Sequence, residues 1–195
     1  RNPGRYSMSR LSEISYDDLS DEQQALYNKI IKTRDIKPNG QIGGPFDVWL
    51  LNAEMGKRIT GMGDFFRFRT SVDRRYIELT ILVTGQFWPA QFEWYAHEPM
   101  ALKAGLPREV IDAIKVGNTP LFEHEADRIT FELCRELHGN HQVSDETFSA
   151  AVGEFGEQGV AELINLAGYY TMVSMTLNTF QVPLPTGSQY PFTPN

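Results

Sequence analysis

Glu78, Glu93 and His97 are the residues of this sequence best suited to acid/base chemistry, because all three fall in the stretch 71–106, which is otherwise largely apolar and aromatic. Glu93 and His97 are four apart, so on a helix they stand one turn above each other on a single face. Glu78 lies one segment earlier in IELTILV, a run whose apolar pattern points into a core. Two such segments packed side by side bring a carboxylate, an imidazole and a second carboxylate into a nearly dry space, where the neighbouring charges favour the protonated ring and burial opposes it. That arrangement suits general acid/base catalysis. The spacing also fits an ordinary helix-surface pair worth roughly 0.2–0.5 kcal/mol, and Glu78 fits a local pair with Arg74 or Arg75. As metal ligands the three make a conceivable set, yet no H-E-x-x-H spacing is present, so neither a metal nor a cofactor is expected.

Around these three, Arg67, Arg69, Arg74 and Arg75 form the one basic cluster of note. Arg74 and Arg75 are the candidates for holding a substrate carboxylate; a solvated helix end is the other reading of the cluster. Phe46, Trp49 and Trp94 are candidates for walling a pocket against water, with core packing as the alternative. Tyr169, with Tyr170 and Asn178, reaches either the pocket or the core from the last helix.

The elements that must position these side chains are helical. Ser71–Phe87 reads as one helix with Asp73 in its first turn, Pro89 breaks it, and Phe92–Ala104 follows, closed by Gly105 as a left-handed cap. Upstream, Ser20 with Gln23 is a capping box for an amphipathic helix, and 35–45 is a turn-rich loop. A short helix is expected from near Phe46, then another ending near Thr70. Downstream, helices are expected from Pro107 to Gly117, from Pro120 to Gly139, from Ser144 to about Phe155 and from Gly159 to Phe180. Residues 1–16 read as a flexible lead and 181–195 as an extended, Pro-rich tail. With no run of alternating strand residues, the fold class is all-α.

A length of 195 residues at 41% hydrophobic fits one domain, 1–195. The net charge of −7 argues against a nucleic-acid surface. No apolar run reaches the length of a membrane span, the best being interrupted by Gly, Gln and Pro within 85–89. The single cysteine, Cys134, leaves no partner for an intramolecular disulfide or a redox pair. The first residues carry no secretion pattern, and a cytoplasmic location is expected. The last helix is apolar on most sides, which places it at the centre of its domain or against another subunit. With a tail long enough to wrap over a neighbouring chain, it suggests a homo-oligomer.

The order R-x-x-E-L-x-I-L followed by E-W-x-x-H-x-x-x-A-x-x-x-G-L, carried by Arg75, Glu78, Leu79, Ile81, Leu82, Glu93, Trp94, His97, Ala101, Gly105 and Leu106, resembles the carboxymuconolactone decarboxylase family. That family includes the AhpD-type alkylhydroperoxidases. The resemblance implies a helical bundle assembling into trimers or hexamers. It also implies that the peroxidase branch, with a C-x-x-C pair between its glutamate and histidine, would place its thiols at Ala90 and Glu93, where this chain has none. The decarboxylase branch is similar in having a carboxylate four before the histidine. The expectation is therefore a cofactor-independent lyase or isomerase acting on a small organic acid, lactone or aromatic-derived carbonyl compound, with His97 as acid/base and Glu93 and Glu78 orienting it. A redox protein using Cys134 and a non-catalytic binding protein are the alternatives.

Overall fold

The helix that carries Glu78 lies at the middle of the molecule. The computed structural model describes residues 9–34, 36–37 and 40–193; the first eight residues of the expected lead, residues 35, 38 and 39 of the loop and the last two of the tail lie outside the described residues. Among the described residues there are eight α-helices, one short 3-10 turn at Tyr16–Asp18 and no strand. The fold is all-α. No helix among them is long and apolar enough to cross a membrane.

Helices α1 (Asp21–Ile30), α2 (Phe46–Leu50) and α3 (Ala53–Phe68) form one side of the molecule. Ser20 and Gln23 close the capping box on α1, each side chain accepting from the other's backbone N–H. Helix α4 (Arg74–Phe87) packs against α5 (Gln91–Lys103), α7 (Glu125–Asn140) and α8 (Asp145–Phe180), with α6 (Arg108–Lys115) across one end. Every residue from Ile77 to Gly85 is buried. Asp73 stands just outside α4 as its N-cap, accepting from the Arg75 backbone N–H at 2.8 Å. A helix covered on all sides needs apolar residues all round, and α4 has them on both flanks. Ile77 and Ile81 join a core with Trp49, Phe66, Leu163 and Leu166, while Leu79, Leu82 and Val83 join a second with Trp94, Ile111 and Phe131.

One expectation is modified. The helix expected from Pro120 begins at Glu125, with His124 in extended conformation as its N-cap. Residues 120–124 run outside the helix, and Phe122 reaches the second core from there, tilted against Phe131 at 5.4 Å. The two helices expected at 144–155 and 159–180 are both present, end to end as α8 and separated at Gly156, whose φ of 69° is in the region glycine tolerates. Within the chain, the tail packs against α5. Gln91 clamps Phe192 by two hydrogen bonds of 2.9 Å, and the Phe192 ring packs edge-on against Trp94 at 5.2 Å.

Candidate functional site

Facing positions on α4 and α5 bring the three candidate acid/base residues together. On α5 the residues Glu93, Ala96, His97 and Met100 follow helical spacing and line one cavity, and Ile77 on α4 lines it too. The His97 Nδ1–H donates to Glu78 Oε2 at 2.7 Å, a bond that fixes the ring's orientation and leaves Nε2 for Glu93, whose Oε2 lies 3.4 Å away. The other Glu78 oxygen, Oε1, is in ion contact with Arg74 one turn back on α4, without the alignment of a hydrogen bond. Tyr170 meets the imidazole edge-on, ring centroids 5.2 Å apart. Glu78 is fully buried, and Glu93 and His97 are nearly so.

This burial has electrostatic consequences. For Glu93, burial is the main cause that pushes the carboxyl above its ordinary 4.5; the nearby Glu78 charge adds to the shift and His97 opposes it. For His97, burial favours the neutral ring, but the hydrogen bond to Glu78 and the charges of Glu78 and Glu93 together outweigh it and hold the imidazole above its ordinary 6.5. Glu93 Oε2 has no hydrogen-bond partner. A proton thus has two adjacent homes, Nε2 and Glu93.

A carboxyl that binds its proton more tightly in the folded state contributes stability below about its ordinary 4.5, and loses it as pH rises through the folded value. Glutamine has no such loss. Glu93→Gln is therefore expected to gain melting temperature relative to the parent as pH is raised from 4 to 8. Parallel thermal melts check this, and a difference that stays flat or shrinks would contradict it.

The cavity is about 630 Å³ and is lined by parts of α1, the loop before α2, α2, α3, α4, α5 and α8. Arg74, Phe46, Trp49 and Tyr169 line it, as does Tyr170. Trp49 touches Phe46 edge-on at 5.4 Å and Tyr169 at 6.4 Å. Gly63 admits this arrangement, because a Cβ there would stand 2.5 Å from the Tyr169 hydroxyl oxygen.

Arg75 and Trp94 are placed away from the cavity, against the expectation that they contact substrate. Arg75 holds Asp127 through two hydrogen bonds, Nε to Oδ1 at 2.7 Å and Nη2 to Oδ2 at 2.6 Å, and its Nη1 donates to the carbonyl of Gly105. It ties α4 to α7 and to the end of α5. Trp94 is fully buried in the second core, and its indole N–H donates to Glu98 at 2.6 Å. In both cases the side chain one position along the helix, turned by roughly 100°, faces the cavity instead. The contribution of Lys29, Lys32 and Arg34 to the lining was not legible in the sequence, because no local pattern tells which side of the molecule the end of α1 faces. No group of three or more His, Cys, Asp or Glu among the described residues is arranged to hold a metal ion.

No family model matches the chain, and no curated protein matches it. Solved structures do. An uncharacterized peroxidase-related protein from Ralstonia eutropha, described as an alkylhydroperoxidase AhpD core, superposes with a TM-score of 0.73 over 91% of this chain and 93% of its own, at 12% identity. The fold is AhpD-like. An uncharacterized peroxidase-related protein from Silicibacter gives 0.69 over 92% of each chain at 13% identity. A protein of unknown function from Agrobacterium tumefaciens, named for AhpD and antioxidant defence, gives 0.63 over 73% of this chain and 99% of its own at 14% identity. At such identities the likeness is one of fold. Within this AhpD-like bundle, the one cysteine lies in the second core, away from the cavity.

Proposed function

We propose that the protein is a cofactor-independent lyase or isomerase, a decarboxylase in the first instance, acting on an organic acid, lactone or aromatic-derived carbonyl compound. The observation that supports this most is the clamped imidazole: Glu78 holds Nδ1, while Nε2 and Glu93 share the wall of an apolar cavity. In this reading the Nε2–H of the imidazolium donates to the substrate carbonyl oxygen. The bond to the departing carboxylate breaks, its electron pair passes into an enolate whose oxygen the Nε2–H stabilises without giving up its proton, and carbon dioxide leaves. Glu93, whose carboxyl burial pushes toward its protonated form, supplies a proton to the carbon, so that one proton is consumed for each carbon dioxide released. The Glu78 charge stabilises the imidazolium throughout, and Phe46 and Trp49 keep water out. Incubation with a panel of β-keto acids and lactones, monitored for carbon dioxide and for isomerised product, tests the reading. Failure of every member to react would count against it and favour simple ligand binding.

The names of the solved neighbours favour a redox alternative, which would have to use Cys134. That thiol is buried, its Sγ donates to Thr80 Oγ1 at 3.6 Å, and burial pushes it up to about 11. A thiolate nucleophile needs the opposite shift. Iodoacetamide at pH 8 is expected to leave the folded protein unmodified and fully active, and to label Cys134 only after unfolding. Rapid labelling with loss of turnover would restore the redox reading. We include a homo-oligomer, trimer or hexamer, in the proposal, supported by apolar side chains left at the surface, among them Phe68, Leu121, Ile164 and Met175.

A further inference from the structure

The cavity is opposite in sign to the molecule. In a chain of net charge −7, six of the eighteen lysines and arginines line it, against two of the twenty-five acids. Two of the six are balanced: Arg74 by Glu78, and Lys29 by Asp64 at 3.4 Å. Lys32, Arg34, Arg67 and Arg69 have no carboxylate partner among the described residues. The carbonyl ends of α1 and α3 attract cations and explain part of this gathering. They do not explain its closeness. Arg34 Nη1 at 3.1 Å and Arg67 Nη1 at 3.5 Å point at the same oxygen, the carbonyl of Thr33, so two guanidiniums from different elements crowd one neutral acceptor. Each is also shelved on an aromatic ring, Arg34 over Phe46 at 5.1 Å and Arg67 over Phe68 at 5.0 Å. Like charges held together in this way are set to receive an anion, and a planar carboxylate matches the guanidinium fork.

Behind this cationic mouth the lining is apolar, with Trp49, Phe66, Ile77, Phe92 and Val173. At about 630 Å³ the cavity falls among those, roughly 300–1,000 Å³, that enclose drug-sized ligands, and it is too roomy for a three- or four-carbon acid alone. We infer that the substrate is an amphipathic carboxylic acid with a ring-sized apolar body, its carboxylate held between Arg34 and Arg67 and its reacting carbonyl presented to His97 and Glu93. The last clause rests on the proposed acid/base function; the anion site does not. The anchored carboxylate is not the group that departs. It stays with the product and supplies binding energy from a part of the molecule remote from the reacting carbon.

Calorimetric titration with 2-naphthylacetate, its methyl ester and acetate at low salt tests the assignment. The naphthyl acid is expected to bind about tenfold or more tighter than the ester, acetate to show no measurable binding, and added salt to narrow the gap. Arg34→Ala with Arg67→Ala is expected to bring the acid to the affinity of the ester while leaving the ester unchanged. Should the double variant lose helicity, Arg67→Ala alone, at an exposed position, is read in the same way. Equal binding of acid and ester, no binding of either, or a gap that survives the substitutions would each overturn the inference. In His97→Ala the preference for the acid is expected to persist. If that variant also keeps full turnover, the acid/base reading falls while the anion site stands.

Discussion

Turnover is expected to fall by roughly 10²–10⁴-fold in His97→Ala, with far-ultraviolet circular dichroism and assembly unchanged. The ring joins the two carboxylates. Its Nδ1 is held by Glu78 at 2.7 Å and its Nε2 stands 3.4 Å from Glu93, so alanine removes the proton carrier and leaves both acids in place. The fold should tolerate the loss. Glu78 keeps its contact with Arg74, and the imidazole packs on Tyr170 at the wall of an existing cavity rather than inside a filled core. The measurement is kcat on the most reactive member of the β-keto acid panel, with added imidazole as a second arm. Partial rescue by imidazole is expected, since the cavity is open to the deleted ring. Undiminished kcat in the variant would remove the mechanism.

Glu78→Ala is expected to have the largest effect on stability, about 3–5 kcal/mol, because it leaves a buried imidazolium without its counter-charge. Glu78 is wholly inaccessible to water, and its two oxygens serve His97 and Arg74 separately. The lower figure is the better expectation, since the Arg74 side chain is 40% exposed and can turn to water. Urea unfolding should show the midpoint falling with an unchanged slope. Glu78→Gln, which retains a hydrogen-bond acceptor but no charge, should cost less and should lower the His97 pKa, because the two Glu78 contributions that raise it are weakened. Nuclear magnetic resonance titration of the imidazole reads that shift. In the parent, a ring whose folded pKa is raised contributes stability fully below about its ordinary 6.5 and loses it as pH climbs through the folded value. An unchanged imidazole titration in Glu78→Gln would show that the pair does not set the proton affinity of the site.

Much of the architecture is written in short-range pattern. The capping box at Ser20 and Gln23, the N-cap role of Ser144 and the break before Gly159 are decided by neighbours three or four residues apart, so local chemistry is enough to place them. The start of α7 is not: Pro120 is a fair helix start in isolation, yet 120–124 stay outside the helix, where Phe122 packs into the second core. Nor does local pattern show where Phe192 of the tail settles, edge-on against Trp94 and hydrogen-bonded to Gln91, because both partners lie about a hundred residues away in the chain.

The sequence by itself determined that the protein is a helical bundle and that an imidazole and a carboxylate share one face of a helix, because a spacing of four has a single geometric meaning on a 3.6-residue turn. Adjacent residues on a helix point roughly 100° apart, so of Arg74 and Arg75, or of Glu93 and Trp94, one can face the cavity while the other faces a different core. Which one does so depends on the rotation of α4 and α5 against their neighbours. Tertiary structure alone decided this, sending Arg75 to Asp127 and Trp94 to Glu98. It alone brought Arg34 and Arg67, thirty-three residues apart in the chain, to one carbonyl oxygen. Contacts between distant segments are set by how whole faces of helices bury their apolar surface, and no local spacing encodes them.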